Sequence, residues 1–217
     1  MDLSKLYDRT QTGQLLADQL AAQSFAMPGW VIALPRGGVP VGAEIARRLG
    51  WPLDIWLVRK LGVPNQPELA MGAIAAPNIQ ILSQDLIQRL KISSAQIQAT
   101  VQAEQQELQR RDQCYRGGRS RPNIQGRPVI VVDDGVATGA TFQAAIAAIK
   151  TFQPLSITAV APVVAPSSWQ TISAKVDASF CIIAPPSLGS ISQWYEHFEA
   201  VDDATVSQYL EHYRDAE

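Results

Sequence analysis

Val129-Ile130-Val131-Val132-Asp133-Asp134-Gly135-Val136-Ala137-Thr138-Gly139-Ala140-Thr141 is the stretch on which the fold of this 217-residue chain turns. Its first four residues are all β-branched aliphatics, set between Pro128 and an acidic pair, which describes a strand buried on both faces, as in a parallel sheet. The acids then stand at that strand's carboxyl end. Beyond them Phe142, Ala145, Ile146, Ile149 and Phe152 recur at helical spacing, so Gly135 to Thr141 reads as a tight strand-to-helix turn. Small and hydroxyl residues at a helix start let an anion approach N–H groups that have no helical partner, and the helix dipole favours phosphate there. Two acids beside such a cradle would repel the phosphate itself. They suit hydrogen bonds from neutral hydroxyls next to it, or a place near a bound Mg²⁺. A sugar phosphate offers both groups.

Two plainer readings explain less. An apolar strand ending in Asp-Asp fits a nucleoside-triphosphate site, but no G-x-x-x-x-G-K-[ST] loop occurs in the chain. Asp134-Gly135 as a simple turn with Thr138 as an N-cap accounts for one acid and not for both.

Outward from this stretch the same grammar recurs. Leu15, Leu16, Leu20 and Ala21 predict an amphipathic helix after Asp8-Arg9-Thr10, with Thr10 or Thr12 as its cap. Trp30 to Leu34 predicts a second buried strand, and Pro35-Arg36-Gly37-Gly38-Val39-Pro40 carries it into a helix ending at Leu49-Gly50. Gly37 and Gly38 permit positive φ and close backbone approach, while Arg36 is a fixed cation suited to phosphate oxygens. Leu53 to Val58 predicts a third strand, ending in the cations Arg59 and Lys60. Ligands of open α/β sheets bind outside the strand carboxyl ends, so Arg36, Arg59, Lys60, Asp133 and Asp134 are expected to converge.

Leu61 to Gly72 shows neither period and is rich in Gly and Pro, so it reads as a loop of about a dozen residues, a length that in compact domains is usually either functional or disordered. Ala73 to Ala75 and Ile79 to Leu82 form a small hairpin around Pro77-Asn78. Helices follow over 83–90 and 93–111, the second opening on Ser93-Ser94. Arg110, Arg111, Arg116, Arg119, Arg121 and Arg127 form a basic cluster with two readings, a phosphate, RNA or subunit contact, or the ordinary cations of a helix end before Gly117-Gly118. Further strands are expected over 157–160 and 178–183, with a short helix over 169–174 between them. In the tail, Trp194, Tyr195 and Phe198 suit either stacking on a flat base or packing beneath the tail. His197 is there a candidate base or a structural residue, and Asp202-Asp203 caps a last helix.

Composition narrows the class. The length suits one α/β domain, and a net charge of −2 argues against bulk nucleic-acid binding. Cys114 and Cys181 show no metal or redox spacing, as in a cytoplasmic protein with reduced thiols. No apolar run approaches a membrane span, and residues 1–5 do not read as a targeting segment.

The thirteen opening residues resemble the phosphoribosyl-pyrophosphate (PRPP) signature of the type I phosphoribosyltransferases. With Leu34 to Pro40, Arg59 to Gly62, Pro67 to Ala70, Tyr115 to Gly118 and Trp194-Tyr195, the whole chain is most similar to a poorly characterised bacterial branch of that family. The resemblance implies an open, mostly parallel twisted sheet flanked by helices, one domain over 1–217 with a core over about 10–185, and a small hood over about 186–217. It places Asp133 and Asp134 on the ribose hydroxyls, and Ala137, Thr138, Gly139, Ala140 and Thr141 on the 5′-phosphate. Arg36, Gly37, Gly38, Arg59 and Lys60 fall on the pyrophosphate. It makes 61–72 a flexible loop that closes over the reaction, assigns Trp194 and Tyr195 to the acceptor pocket, and suggests a cis peptide between Pro35 and Arg36. Gly135 departs from the pattern, because an aliphatic residue is usual there. The implied activity is transfer of a phosphoribosyl group from Mg²⁺-PRPP to a nitrogen base by a homodimer, with Mg²⁺ held through PRPP and with Asp133, Asp134, Arg59 and Lys60 as the catalytic set. A PRPP- or nucleotide-sensing regulator on the same fold is the alternative.

Overall fold

A computed structural model describes residues 5–76, 79–118 and 120–213. In chain order the elements are α1 (Arg9–Ala21), β1 (Trp30–Ala33), α2 (Gly38–Leu49), β2 (Leu53–Ile55), β3 (Val58–Val63), β4 (Gln66–Ala75), β5 (Ile79–Leu82), α3 (Gln84–Leu90) and α4 (Ser94–Arg116). Then come β6 (Pro128–Val132), α5 (Ala140–Lys150), β7 (Ser156–Val160), α6 (Pro166–Ser173), β8 (Ala178–Phe180), a 3₁₀ turn (Ile191–Trp194) and α7 (Asp203–His212).

The aliphatic run becomes β6, buried at every residue, and it lies at the centre of a five-stranded parallel sheet ordered β2-β1-β6-β7-β8. Alternate side chains leave opposite faces. Ile130 and Val132 join Val31, Ala33, Leu16, Leu20, Ile45 and Leu210 in one core, on the side of α1, α2 and α7. Val129 and Val131 join Ile32, Phe142, Ile146, Ile149 and Trp169 in the other, beneath α5 and α6. Strand order reverses between β1 and β6, and ligand crevices of doubly wound sheets open at such a switch point. The loops after β1 and β6 therefore flank one crevice, which is the arrangement expected for Arg36 and the acid pair.

The third strand differs from expectation. β2 stops at Ile55, and Arg59 and Lys60 lie on β3, in a separate antiparallel sheet ordered β3-β4-β5. Residues 61–72, expected as a flexible loop, are the paired arms of β3 and β4, turning at Pro64-Asn65. The glycines that suggested a loop serve close strand contact: a Cβ on Gly72 would lie 2.2 Å from the Ile81 carbonyl oxygen, and one on Gly62 2.7 Å from that of Pro67. The register slips beside Gly62, which breaks the two-residue period and tolerates Pro67 within a strand. β4 and β5 pair as the expected small hairpin. Its turn, Pro77-Asn78, lies outside the described residues.

Smaller differences follow local rules. Asp8, rather than Thr10 or Thr12, caps α1 by accepting from the Gln11 N–H at 2.7 Å. Pro166 in the first turn starts α6 ahead of Trp169, and β8 ends at Phe180. Ser93 and Gln96 form a full capping box at the start of α4. Both described cysteines are free. Among the described residues no helix is long and apolar enough to cross a membrane.

The arginine cluster disperses. Arg110 and Arg111 both bond Glu107, whose carboxyl they hold down at about 2. Arg127 reaches toward the Pro28 carbonyl, and Arg119 lies outside the described residues. Arg116 is a strut: at 4% exposure it bonds Asp112, Asp54 and the Ile55 carbonyl, tying the end of α4 to β2. Removing one side of a buried ion pair typically costs about 3–5 kcal/mol. Arg116→Ala should lower stability by about that amount in urea unfolding, while Arg110→Ala on the surface should leave the unfolding midpoint close to that of the wild type.

Candidate functional site

Gly135 to Gly139 leaves β6 as a turn and hands over to α5. Gly139 takes φ 73° as the N-cap of α5, a conformation that favours glycine. The N–H groups of Ala137, Thr138, Gly139 and Ala140 find no acceptor among the described residues. They face a cleft of about 170 Å³ lined by Asp133, residues 135–142 and Ile191. Unpartnered N–H donors at a helix N-terminus make a ready anion cradle.

Ile191, from the 3₁₀ turn, explains the unusual glycine. A Cβ at Gly135 would lie 2.5–2.9 Å from three Ile191 carbons. The aliphatic group that β6 lacks at this point is supplied by the tail.

The two acids are not equivalent. Asp133 accepts the Asp134 N–H at 2.9 Å, and burial, then the neighbouring Asp134 charge, push its carboxyl well above the usual range. Asp134 is gripped on one oxygen. Its Oδ2 accepts from Nε of Arg9 at 2.8 Å and lies 2.8 Å from Nη2 of the same guanidinium. Arg9 also donates to the Glu199 carbonyl at 2.7 Å and stacks on the Phe198 ring, 3.8 Å from its centroid. Tyr195 donates its hydroxyl to the Asp134 carbonyl at 2.8 Å, and burial raises that phenol.

Across the crevice, the peptide from Pro35 to Arg36 is cis. Gly37 and Gly38 adopt no positive φ. Their small size instead lets this loop press on the end of β6: a Cβ on Gly37 would fall 1.9 Å from Asp134 Oδ2, and one on Gly38 2.9 Å from the Asp133 Cα. Arg36 lies 3.6 Å from Asp203, which also accepts the Tyr115 hydroxyl at 2.6 Å.

The structure thus brings together Arg36, Gly37, Gly38, Asp133, Asp134 and residues 137–141. It does not bring Arg59 and Lys60 to them. Arg59 pairs with Glu104 of α4 at 2.6 Å, and the cavity of about 480 Å³ that Arg59 and Lys60 line includes none of those residues. Trp194 bonds the Leu188 carbonyl and Tyr195 is buried against Leu6 and Val163, so both pack beneath the tail. His197 is exposed, edge-on to Tyr7.

Sequence reasoning missed Arg9, Ile191 and Asp203 as neighbours of the site. A cation at the first position of a helix opposes the macrodipole, so Arg9 carried a readable signal once Asp8 was recognised as the cap. Ile191 carried none, because its partner is a missing side chain.

Comparisons with known proteins bear on the family and the fold. The family model for the phosphoribosyl transferase domain matches residues 7–197. A "Putative phosphoribosyl transferase" of Mycobacterium tuberculosis (strain H37Rv) is 37% identical over 208 residues, 95% of this chain. The chain spans about half of that relative, 47% of its length. A protein of Thermus thermophilus, known from a crystal structure, superposes with a TM-score of 0.82 at 32% identity, covering 96% of this chain and 99% of its own. A hypoxanthine-guanine phosphoribosyltransferase of Bacillus anthracis shares the fold at a TM-score of 0.50 and 15% identity, over 89% of this chain and 92% of its own.

Two stability measurements probe the site without any ligand. Gly135→Val should destabilise by about 1–3 kcal/mol through overpacking, and adding Ile191→Ala should recover part of that loss; strict additivity in urea unfolding would refute the shared space. For Asp133, a raised folded-state carboxyl means stability that is complete below the unfolded value of about 3.9 and is lost as pH rises through the folded value. Asp133→Asn should therefore melt above the wild-type protein at about pH 7 and lose that advantage near about pH 3, read by thermal melts across pH.

Proposed function

The chain belongs to the phosphoribosyl transferase domain family, and on that footing we propose that it binds Mg²⁺-PRPP and transfers the phosphoribosyl group to a nitrogen base, releasing pyrophosphate. One observation carries the reading. At the β1/β6 switch point, Asp133 and a loop of unpartnered N–H donors open on the same small cleft, with Asp134 beside them against Gly37. A ribose 5-phosphate presents hydroxyls and a phosphate to match.

In this reading the N–H groups of Ala137 to Thr141 hold the 5′-phosphate, with Thr138 and Thr141 hydroxyls as further donors. Asp133 and Asp134 hold the ribose hydroxyls. The C1–oxygen bond to pyrophosphate breaks as the acceptor nitrogen bonds to C1, so the protein's main task is to stabilise charge gathering on the leaving group. Arg36 and the N–H group of Gly37 meet that charge, the Gly38 N–H being taken by the Leu34 carbonyl at 3.1 Å, with Arg59 and Lys60 joining through a shift of the β3–β4 arm that parts Arg59 from Glu104. The donor set around the acids is two carboxylates, and among the described residues no group of three or more His, Cys, Asp or Glu side chains converges. A divalent ion fits as the counter-ion of the diphosphate, where it supplies charge neutralisation.

The Arg59–Glu104 pair also favours a second reading, a sensor that binds PRPP without turnover because one of its cations stays engaged. Pyrophosphate release on mixing purified protein, Mg²⁺-PRPP and purine or pyrimidine bases supports the enzyme; binding by calorimetry without release with any base supports the sensor. In either case Asp134→Asn should weaken PRPP binding by about 10- to 100-fold, the loss expected for charged hydrogen bonds worth about 1.5–3 kcal/mol. Unchanged affinity would remove the ribose assignment.

A further inference from the structure

Arg9 stands on α1, outside every segment in which the family resemblance places the site, yet it makes the most complete set of contacts around the acids. Its guanidinium meets an acid, a carbonyl and an aromatic face at once, and its side chain is only 11% exposed. Both nitrogens that reach Asp134 take the same oxygen, Oδ2. That oxygen is also the one nearest Gly37, while neither Arg9 nitrogen takes Oδ1, and the Asp133 carboxyl lies against the same carboxylate. The carboxylate is thus divided, with one oxygen held by Arg9 and the other outside that grip. A cation in the first turn of α1 acts against the helix dipole, and beyond the Asp8 cap no acid of that turn offsets it. Local helix physics does not explain Arg9, whereas Asp134 does.

We propose that Arg9 is a positioning residue for substrate: its grip on Oδ2 holds the Asp134 carboxylate turned, so that Oδ1 accepts a hydroxyl of the bound sugar. This rests on the phosphoribosyl reading of the site. The same contact links recognition to the tail, because Arg9 is seated on Phe198 and Glu199. The titratable groups facing Asp134 are Asp133 on its own turn, Arg9 from α1 and Tyr195 from the tail. The loop after β1 offers only Gly37 there, its Arg36 being turned to Asp203.

The test compares wild type, Arg9→Gln and Arg9→Lys by calorimetry with Mg²⁺-PRPP between about pH 5 and 8, alongside carbon-13 titration of the aspartate carboxyls in the unliganded proteins. Arg9→Gln should bind about tenfold more weakly near pH 7. The acid limb of its binding curve and the titration of the acid pair should both move up by about one pH unit or more, since a carboxylate loses an adjacent guanidinium. Arg9→Lys should restore the titration but only part of the affinity, lacking the two-nitrogen grip. It also reports the result should Arg9→Gln fail to fold. Wild-type affinity together with an unshifted titration in Arg9→Gln would overturn the assignment. A wild-type protein that binds no PRPP would overturn the underlying reading instead, and the carboxyl titration would still decide whether Arg9 sets the charge of the pair.

Discussion

The close run of β1 beside β6 is the constraint on which the carboxyl edge depends. Beyond their last paired residues the two chains stay in contact, with the Leu34 N–H donating to the Val132 carbonyl at 2.8 Å and Gly37 and Gly38 pressed onto Asp133 and Asp134. No side chain fits between them. Two loops that diverge at a switch point normally leave an open crevice; here glycine keeps the mouth narrow, so a cation loop and an acid loop face one another at short range. The parallel sheet below, covered on both faces, holds that spacing.

How far the sequence could be read depended on whether a pattern was local. β6 and its turn were legible because four β-branched residues, two acids and a helical period stand side by side. The β1 turn was legible for the same reason, including the cis peptide that the resemblance suggested before Arg36. The site around them was less so. Arg59 and Lys60 were placed at a strand end because nothing between Leu53 and Lys60 marks the break after Ile55, where the chain changes sheets at Trp56-Leu57. The β3–β4 arm reads as a loop in the sequence because glycine marks both loops and strands that touch at van der Waals distance, and the irregular register beside Gly62 erases the two-residue period.

Contacts across long sequence separations left no trace at all. Nothing at position 9 names Asp134, and nothing at 191 names a missing Cβ at 135. The arginine cluster shows the converse. Six cations over 110–127 looked like one feature, yet the structure gives Arg116 to β2 and Arg110 and Arg111 to their own helix. Spacing along a chain does not report direction around it once a helix ends at Gly117.

The tail and the segment before α1 are laced together. The Leu6 N–H donates to the Trp194 carbonyl and the Leu6 carbonyl accepts from the Glu196 N–H, each at 2.8 Å, while the His197 N–H donates to the Tyr7 carbonyl. Leu6 and Tyr7 therefore wait for partners synthesised long after them, and such distant pairings come late and carry a large loop-closure cost. While a ribosome is still extending the chain, the sheet can already be in place, but Arg9 has no Phe198 to rest on and Ile191 has not yet covered Gly135. The surroundings of the acid pair are completed only once the chain has been made through Glu199.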